Sequence, residues 1–147
     1  KTGVPSIGIR YVRVQSTVKP PLLVDGGVNI EACDVIYNNV TYPIQSGIVQ
    51  PPDPNPGNLN PGQTGPRGQS ITADTNEYDA YIEIDLGSAV PFDKIVVTNR
   101  LDFSTVYPWN ERLVNCSLIA LTPERKEFQR WEFGKDVKPE YEFFIWD

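Results

Sequence analysis

The stretch Tyr81-Ile82-Glu83-Ile84-Asp85-Leu86-Gly87 alternates between apolar and acidic positions. In an extended chain Ile82, Ile84 and Leu86 share one face, and Glu83 and Asp85 share the other. Residues 94–98, Lys-Ile-Val-Val-Thr, are β-branched on both faces, which predicts a central strand covered on both sides. Between them, residues 87–91 (Gly-Ser-Ala-Val-Pro) read as a turn. Two earlier β-rich runs cover 7–14 and 28–37, and three later ones cover 113–121, 127–133 and 141–146. The last run is apolar on most of both faces, which predicts a strand inside the sandwich and not at its edge. Asp25-Gly26-Gly27, Asn38-Asn39, Thr122-Pro123 and Phe133-Gly134-Lys135-Asp136 punctuate these runs with turn chemistry. Short strands at such intervals, with almost no helical period, predict an all-β sandwich without a long helix.

Residues 51–70 break the pattern, because six prolines and four glycines fill ten of the twenty positions. Proline removes ladder donors and glycine loses much entropy on ordering, so the segment reads as a loop and not a strand. Its three Gly-X-Y triplets at 62–70 are too few for a collagen helix. The strands on either side need each other to form a core, so the segment is a loop insertion, at about 50–70, within one domain spanning 1–147. Pre-extended by proline, it suits docking along a neighbouring subunit, with Leu59 as the natural apolar anchor.

Composition narrows the function classes. There are 19 acidic residues against 13 basic ones, for a net charge of −6, and this balance argues against nucleic-acid binding. No window approaches the roughly 18 apolar residues of a membrane-spanning helix, so no membrane insertion is expected. Without histidine, Ser-His-Asp and Cys-His nucleophile systems and imidazole-ligated zinc are excluded. Cys33 and Cys116 could form one disulfide, but the favoured reading is two buried small hydrophobes. Asp25, Asn29, Asp74 and Asn76 offer oxygen donors too sparsely for a calcium loop, so no metal or cofactor is expected. The pairs Glu83/Asp85 and Glu140/Glu142 each point to one solvated side of a strand. A glycosidase instead sets two carboxylates across a cleft, so no catalysis is expected. Of two N-glycosylation sequons, Asn39-Val40-Thr41 sits beside a turn, whereas Asn115-Cys116-Ser117 falls in an expected strand and should stay unmodified. The opening Lys1-Thr2-Gly3-Val4-Pro5-Ser6 has neither an initiator Met nor a signal-peptide layout, as expected for a part of a longer chain.

The block Tyr81-Ile82-Glu83-Ile84-Asp85-Leu86-Gly87 followed by Phe92-Asp93-Lys94-Ile95-Val96-Val97-Thr98-Asn99-Arg100 resembles the discoidin-type, galactose-binding-like jelly rolls. Asp102 and Arg112 fall where that superfamily places an acidic residue and an arginine before its next strand. Ile9-Arg10-Tyr11-Val12-Arg13-Val14 and Asn29-Ile30-Glu31-Ala32-Cys33-Asp34-Val35 are similar to its first two strands. The resemblance spans nearly the whole chain, and the 81–100 block is its specific part. It implies an antiparallel jelly-roll β-sandwich.

In flavour the chain is most similar to versions in virion-associated proteins of large DNA viruses. That implies a non-catalytic structural module, a minor capsid or virion-associated protein whose partners are other protein subunits. The alternative it implies is a carbohydrate-binding module of an extracellular or cell-surface protein. Discoidin-like modules gather aromatic, Arg, Asp and Asn side chains at one end of the sandwich, and Asp102, Tyr107, Trp109 and Asn110 would do so here. The fucose-binding branch uses a histidine, which this chain lacks. Asp85, Arg100 and Arg112 are expected to be scaffold pins, because a forked guanidinium at a strand exit can tie several loop oxygens together.

Overall fold

Alternating apolar residues set the layers of the structure, a computed structural model that describes residues 8–16, 28–50, 70–71, 81–100 and 109–146. Five strands form one sheet: β1 (Ile9–Ser16), β5 (Ser46–Gln50), β7 (Tyr81–Val90), β9 (Cys116–Leu121) and β10 (Glu127–Glu132). Their spatial order is β10-β9-β1-β7-β5, with every pairing antiparallel. Four strands form the second: β3 (Ala32–Tyr37), β4 (Val40–Thr41), β8 (Lys94–Thr98) and β11 (Glu140–Phe144), ordered β11-β8-β3-β4. A two-residue pairing joins β2 (Asn29–Ile30) to β6 (Ser70–Ile71). Among the described residues the only helix is a 3-10 turn, η1 (Trp109–Glu111). The protein is therefore an all-β sandwich of two antiparallel sheets.

One apolar cluster lies between the sheets. Val12, Val14, Ile82, Ile84, Leu86 and Leu118 face it from the first sheet, and Cys33, Val35, Ile95, Val97, Tyr141 and Phe143 from the second. Phe92, fully buried, meets Phe128 and Trp131 edge-on at 5.9 and 6.1 Å. As expected, β8 is a central strand, and Val96 on its outer face is also buried.

Several expectations are corrected. Residues 87–91 do not end the strand, because β7 continues to Val90. Ile9 pairs with Val90 and Tyr11 with Asp85, so two steps along β1 face five along β7. The Gly-Ser-Ala segment is thus a bulge, and Gly87 supplies its positive φ of 87°. At the same junction Gly8 lies so close to β7 that a Cβ would sit 2.5 Å from the Val90 carbonyl oxygen. The last strand is an edge strand, with Tyr141 and Phe143 buried while Glu140, Glu142 and Phe144 are exposed. Its second apolar face is supplied by Phe144 alone, too little to demand a covering strand. Strand β9 begins at Cys116 and not at 113, because Asn115 adopts a φ of 63° in a turn. The expected Asn38-Asn39 turn is present, and both residues have the positive φ that a tight hairpin between β3 and β4 requires. Of the Pro/Gly-rich insertion, residues 51–69 lie outside the described residues, and Ser70 belongs to β6.

Candidate functional site

The acidic face of β7 is not a solvated one. Glu83 is only 2% exposed, on the outer face of the five-stranded sheet. Arg13, its cross-strand partner on β1, donates from Nε and Nη2 to Glu83 Oε2 at 2.9 and 2.7 Å. Arg125 donates from Nη1 to Oε1 at 2.9 Å. It reaches there from the turn after β9, where its own φ is 63°. The guanidinium carbons of Arg13 and Arg125 lie 3.8 Å and 4.0 Å from the ring centres of Tyr81 and Tyr11. These flat cation–π contacts exclude water from the carboxylate.

Next to it, Arg10 grips Asp85 with Nε to Oδ1 at 2.9 Å and Nη2 to Oδ2 at 3.2 Å, and the Gly87 amide donates to Oδ1 at 2.7 Å. The Arg10 hydrogen bond first, and the Gly87 amide after it, hold the Asp85 carboxyl below its usual range despite partial desolvation. Asp85 is thereby tied to β1 and to the bulge at Gly87. The covering of Glu83 was not foreseen, because alternation alone cannot show that an arginine from β1 and another from the turn after β9 cover an outward position.

A second cluster closes the end of the sandwich where β8 stops. Asn99 is buried, and its Nδ2 donates to the carbonyl oxygens of Asn110 at 2.9 Å and Lys138 at 3.0 Å. Its backbone amide donates to Pro139 O at 2.9 Å. One side chain thereby ties the exit of β8 to η1 and to the approach to β11. Among the described residues nothing donates to the buried Asn99 Oδ1 or Asn110 Oδ1. Arg100 and Arg112 are both buried, and both are engaged in contacts.

Of the expected ligand residues, only Asn110 is placed in full, and it contributes its backbone to Asn99. Trp109 is placed as the first residue of η1. Asp102, Tyr107 and Leu59 lie outside the described residues.

A depression lies elsewhere among the described residues. Where β10 and β11 face each other across the open side of the sandwich, a groove of about 400 Å³ is lined by Arg130, Glu132, Lys138 and Glu142 over aromatic residues. Beneath it, Phe133 packs edge-on against Tyr141 and Phe143, both at 4.9 Å, and Trp131 Nε1 donates to Phe144 O at 3.0 Å. Tyr141 Oη donates to Asp136 O at 2.8 Å and accepts from the Lys138 amide at 3.1 Å. The sequence reading passed over this seam because its aromatics come from two strands with a turn segment between them.

Both cysteines are buried thiols that no disulfide joins, as favoured from the sequence. Burial pushes the Cys116 thiol up to about 12, and its Sγ donates to Arg112 O at 3.3 Å. Among the described residues no three His, Cys, Asp or Glu gather to hold a metal. The calcium-donor candidates Asp25, Asp74 and Asn76 lie outside those residues, and Asn29 falls in β2. Asn39 is exposed, and so is Asn115, which corrects the expectation that a strand would hide the second sequon. No protein-family model, no curated protein and no solved structure matches the chain.

Proposed function

We propose that the chain is a non-catalytic structural module, a minor capsid or virion-associated protein whose partners are other protein subunits. The observation that carries the reading is the disposition of charge. Glu83 is bound by two guanidiniums and Asp85 by a third, so each acts as a brace between strands. A general acid or base must instead reach a substrate and exchange its proton. Large apolar side chains, meanwhile, stand exposed at the sandwich margins: Val40, Ile48, Val137, Phe144 and Trp146. Apolar surface free of charge is inexpensive to desolvate, and the cores of protein interfaces are depleted in charge for that reason.

The discoidin-like pattern of 81–100 supports placement in a virion. It also supports jelly-roll topology, for which a five-stranded sheet against a four-stranded one is suitable framework. In particles containing the chain, lysine cross-linking is expected to join Lys94, Lys126, Lys135 or Lys138 to another subunit. Particles in which none of these lysines finds a neighbour would overturn the reading.

The groove between β10 and β11 favours a second reading, a carbohydrate-binding module, because charged groups there ring a concave surface. It ranks second because Trp131, Phe133, Tyr141 and Phe143 are all nearly buried, leaving little ring face for a sugar to stack on. Reproducible glycan-array binding to one sugar class, abolished by Trp109→Ala or Arg130→Ala, would promote it.

A further inference from the structure

With a net charge of −6, two copies of this chain repel unless they meet on a surface that carries little of that charge. Such a surface exists. Residues 38–52 contain no Asp, Glu, Lys or Arg, in a chain that is 22% charged. The described part of this stretch runs along one side of the sandwich: the Asn38-Asn39 turn, β4, the crossing at 42–45 from one sheet to the other, and β5. Val40 is 59% exposed and Ile48 50%, the two most exposed large apolar side chains among the described residues. The acidic neighbours are already matched. Ile48 stands opposite Glu83, and Ser46 opposite Asp85, both of which arginines hold.

Among the described strands, β5 is also the least guarded edge. Sheet edges are usually blunted by charge, by brevity or by a covering element. Strand β4 is two residues long. Strands β10 and β11 carry Glu127, Arg130, Glu132, Glu140 and Glu142, and their side chains knit the two together. Strand β5, Ser-Gly-Ile-Val-Gln, has no charge, and no described strand pairs with its outer edge. Read antiparallel about its centre, it complements itself. In that register Ile48 comes opposite Ile48, Gly47 opposite Val49 and Ser46 opposite Gln50, so no charge is opposed. A two-fold contact of this kind requires only one patch per copy.

We propose that β5 pairs antiparallel with β5 of a second copy of this chain, across a two-fold axis at Ile48, joining their five-stranded sheets into one. The pairing rests on the reading of the chain as an assembly module and names its first partner. Val40, on the same side, supplies apolar surface beside the axis.

Size-exclusion chromatography with light scattering, over a concentration series, tests it on the chain and two variants. In Ile48→Lys the new ammonium faces Glu83 within its own copy, so the exposed substitution spares the fold, while two lysines oppose each other at the axis. Phe144→Glu is the control on the opposite margin, where the new carboxylate faces Lys94. The parent and Phe144→Glu are expected to dimerise. Ile48→Lys is expected to raise the dissociation constant about tenfold or more, with unchanged circular dichroism and melting. A dimer that survives Ile48→Lys, a dimer lost in Phe144→Glu instead, or a parent that stays monomeric overturns the pairing. A monomeric parent whose lysines still cross-link to other subunits leaves the assembly reading standing, whereas one without such links removes both.

Discussion

Arg13 reaches Glu83 with two nitrogens and stacks on Tyr81, whereas Arg125 reaches it with one from a side chain that is 49% exposed. The two should therefore differ in energetic weight. Removing Arg13 leaves a dry carboxylate with one partner, and breaking such buried pairs costs about 3–5 kcal/mol. Arg125 trades much of its contact for water, so Arg125→Ala is expected to cost less than about 1 kcal/mol. Urea denaturation of the two variants measures the difference, and equal losses would show that the network does not divide this way. Asp85 adds a pH dependence. Its folded carboxyl titrates below the unfolded value of about 3.9, chiefly because Arg10 hydrogen-bonds the charged form. The stabilisation is then present above that value and is lost as pH falls through the folded one. Asp85→Asn is expected to be less stable than the parent near neutrality and to show a shallower decline in urea midpoint below about pH 4. Parallel acid limbs for the two proteins would contradict it.

Between elements, the margin where β10 and β11 meet is held by side chains rather than by a shared ladder. Trp131 Nε1 donates to the Phe144 carbonyl, and Phe133 fills the space between Tyr141 and Phe143. Among the described residues β11 has a strand partner only in β8, so this seam should decide how readily it frays. Trp131→Phe removes the bond and leaves a ring-sized gap, for an expected loss of about 1–3 kcal/mol. Hydrogen exchange is expected to quicken at β11 and not at β8, and uniform quickening would mean that the seam does not act locally. Alternation made β7 readable, β-branched residues on both faces made β8 readable, and β1 lies mostly within a β-rich run. Strand β5 was not, because two of its five residues are polar and one is glycine, and its order comes from pairing with β7. Nor was the edge position of β11, since the same Phe-rich pattern suits a central strand or an edge closed by aromatics from the facing sheet.

For the whole molecule, the two sheets share one apolar core that takes in both cysteines, while charge is sorted into paired groups on the first sheet and kept off one margin. The sequence by itself determined the all-β class, because a two-residue period can bury one face only in a sheet. The absence of histidine chemistry and the uncharged run at 38–52 were also plain in the sequence. The structure alone decided which strands are edges, that a three-residue excess in β7 becomes a bulge rather than a turn, and that Glu83 is dry. The physical reason is range. Alternation reports which side of a strand a residue faces, but whether that side meets water depends on side chains distant in the chain. Glu83 is sealed by Arg13, 70 residues away, and by Arg125, 42 away, and no local pattern encodes either meeting.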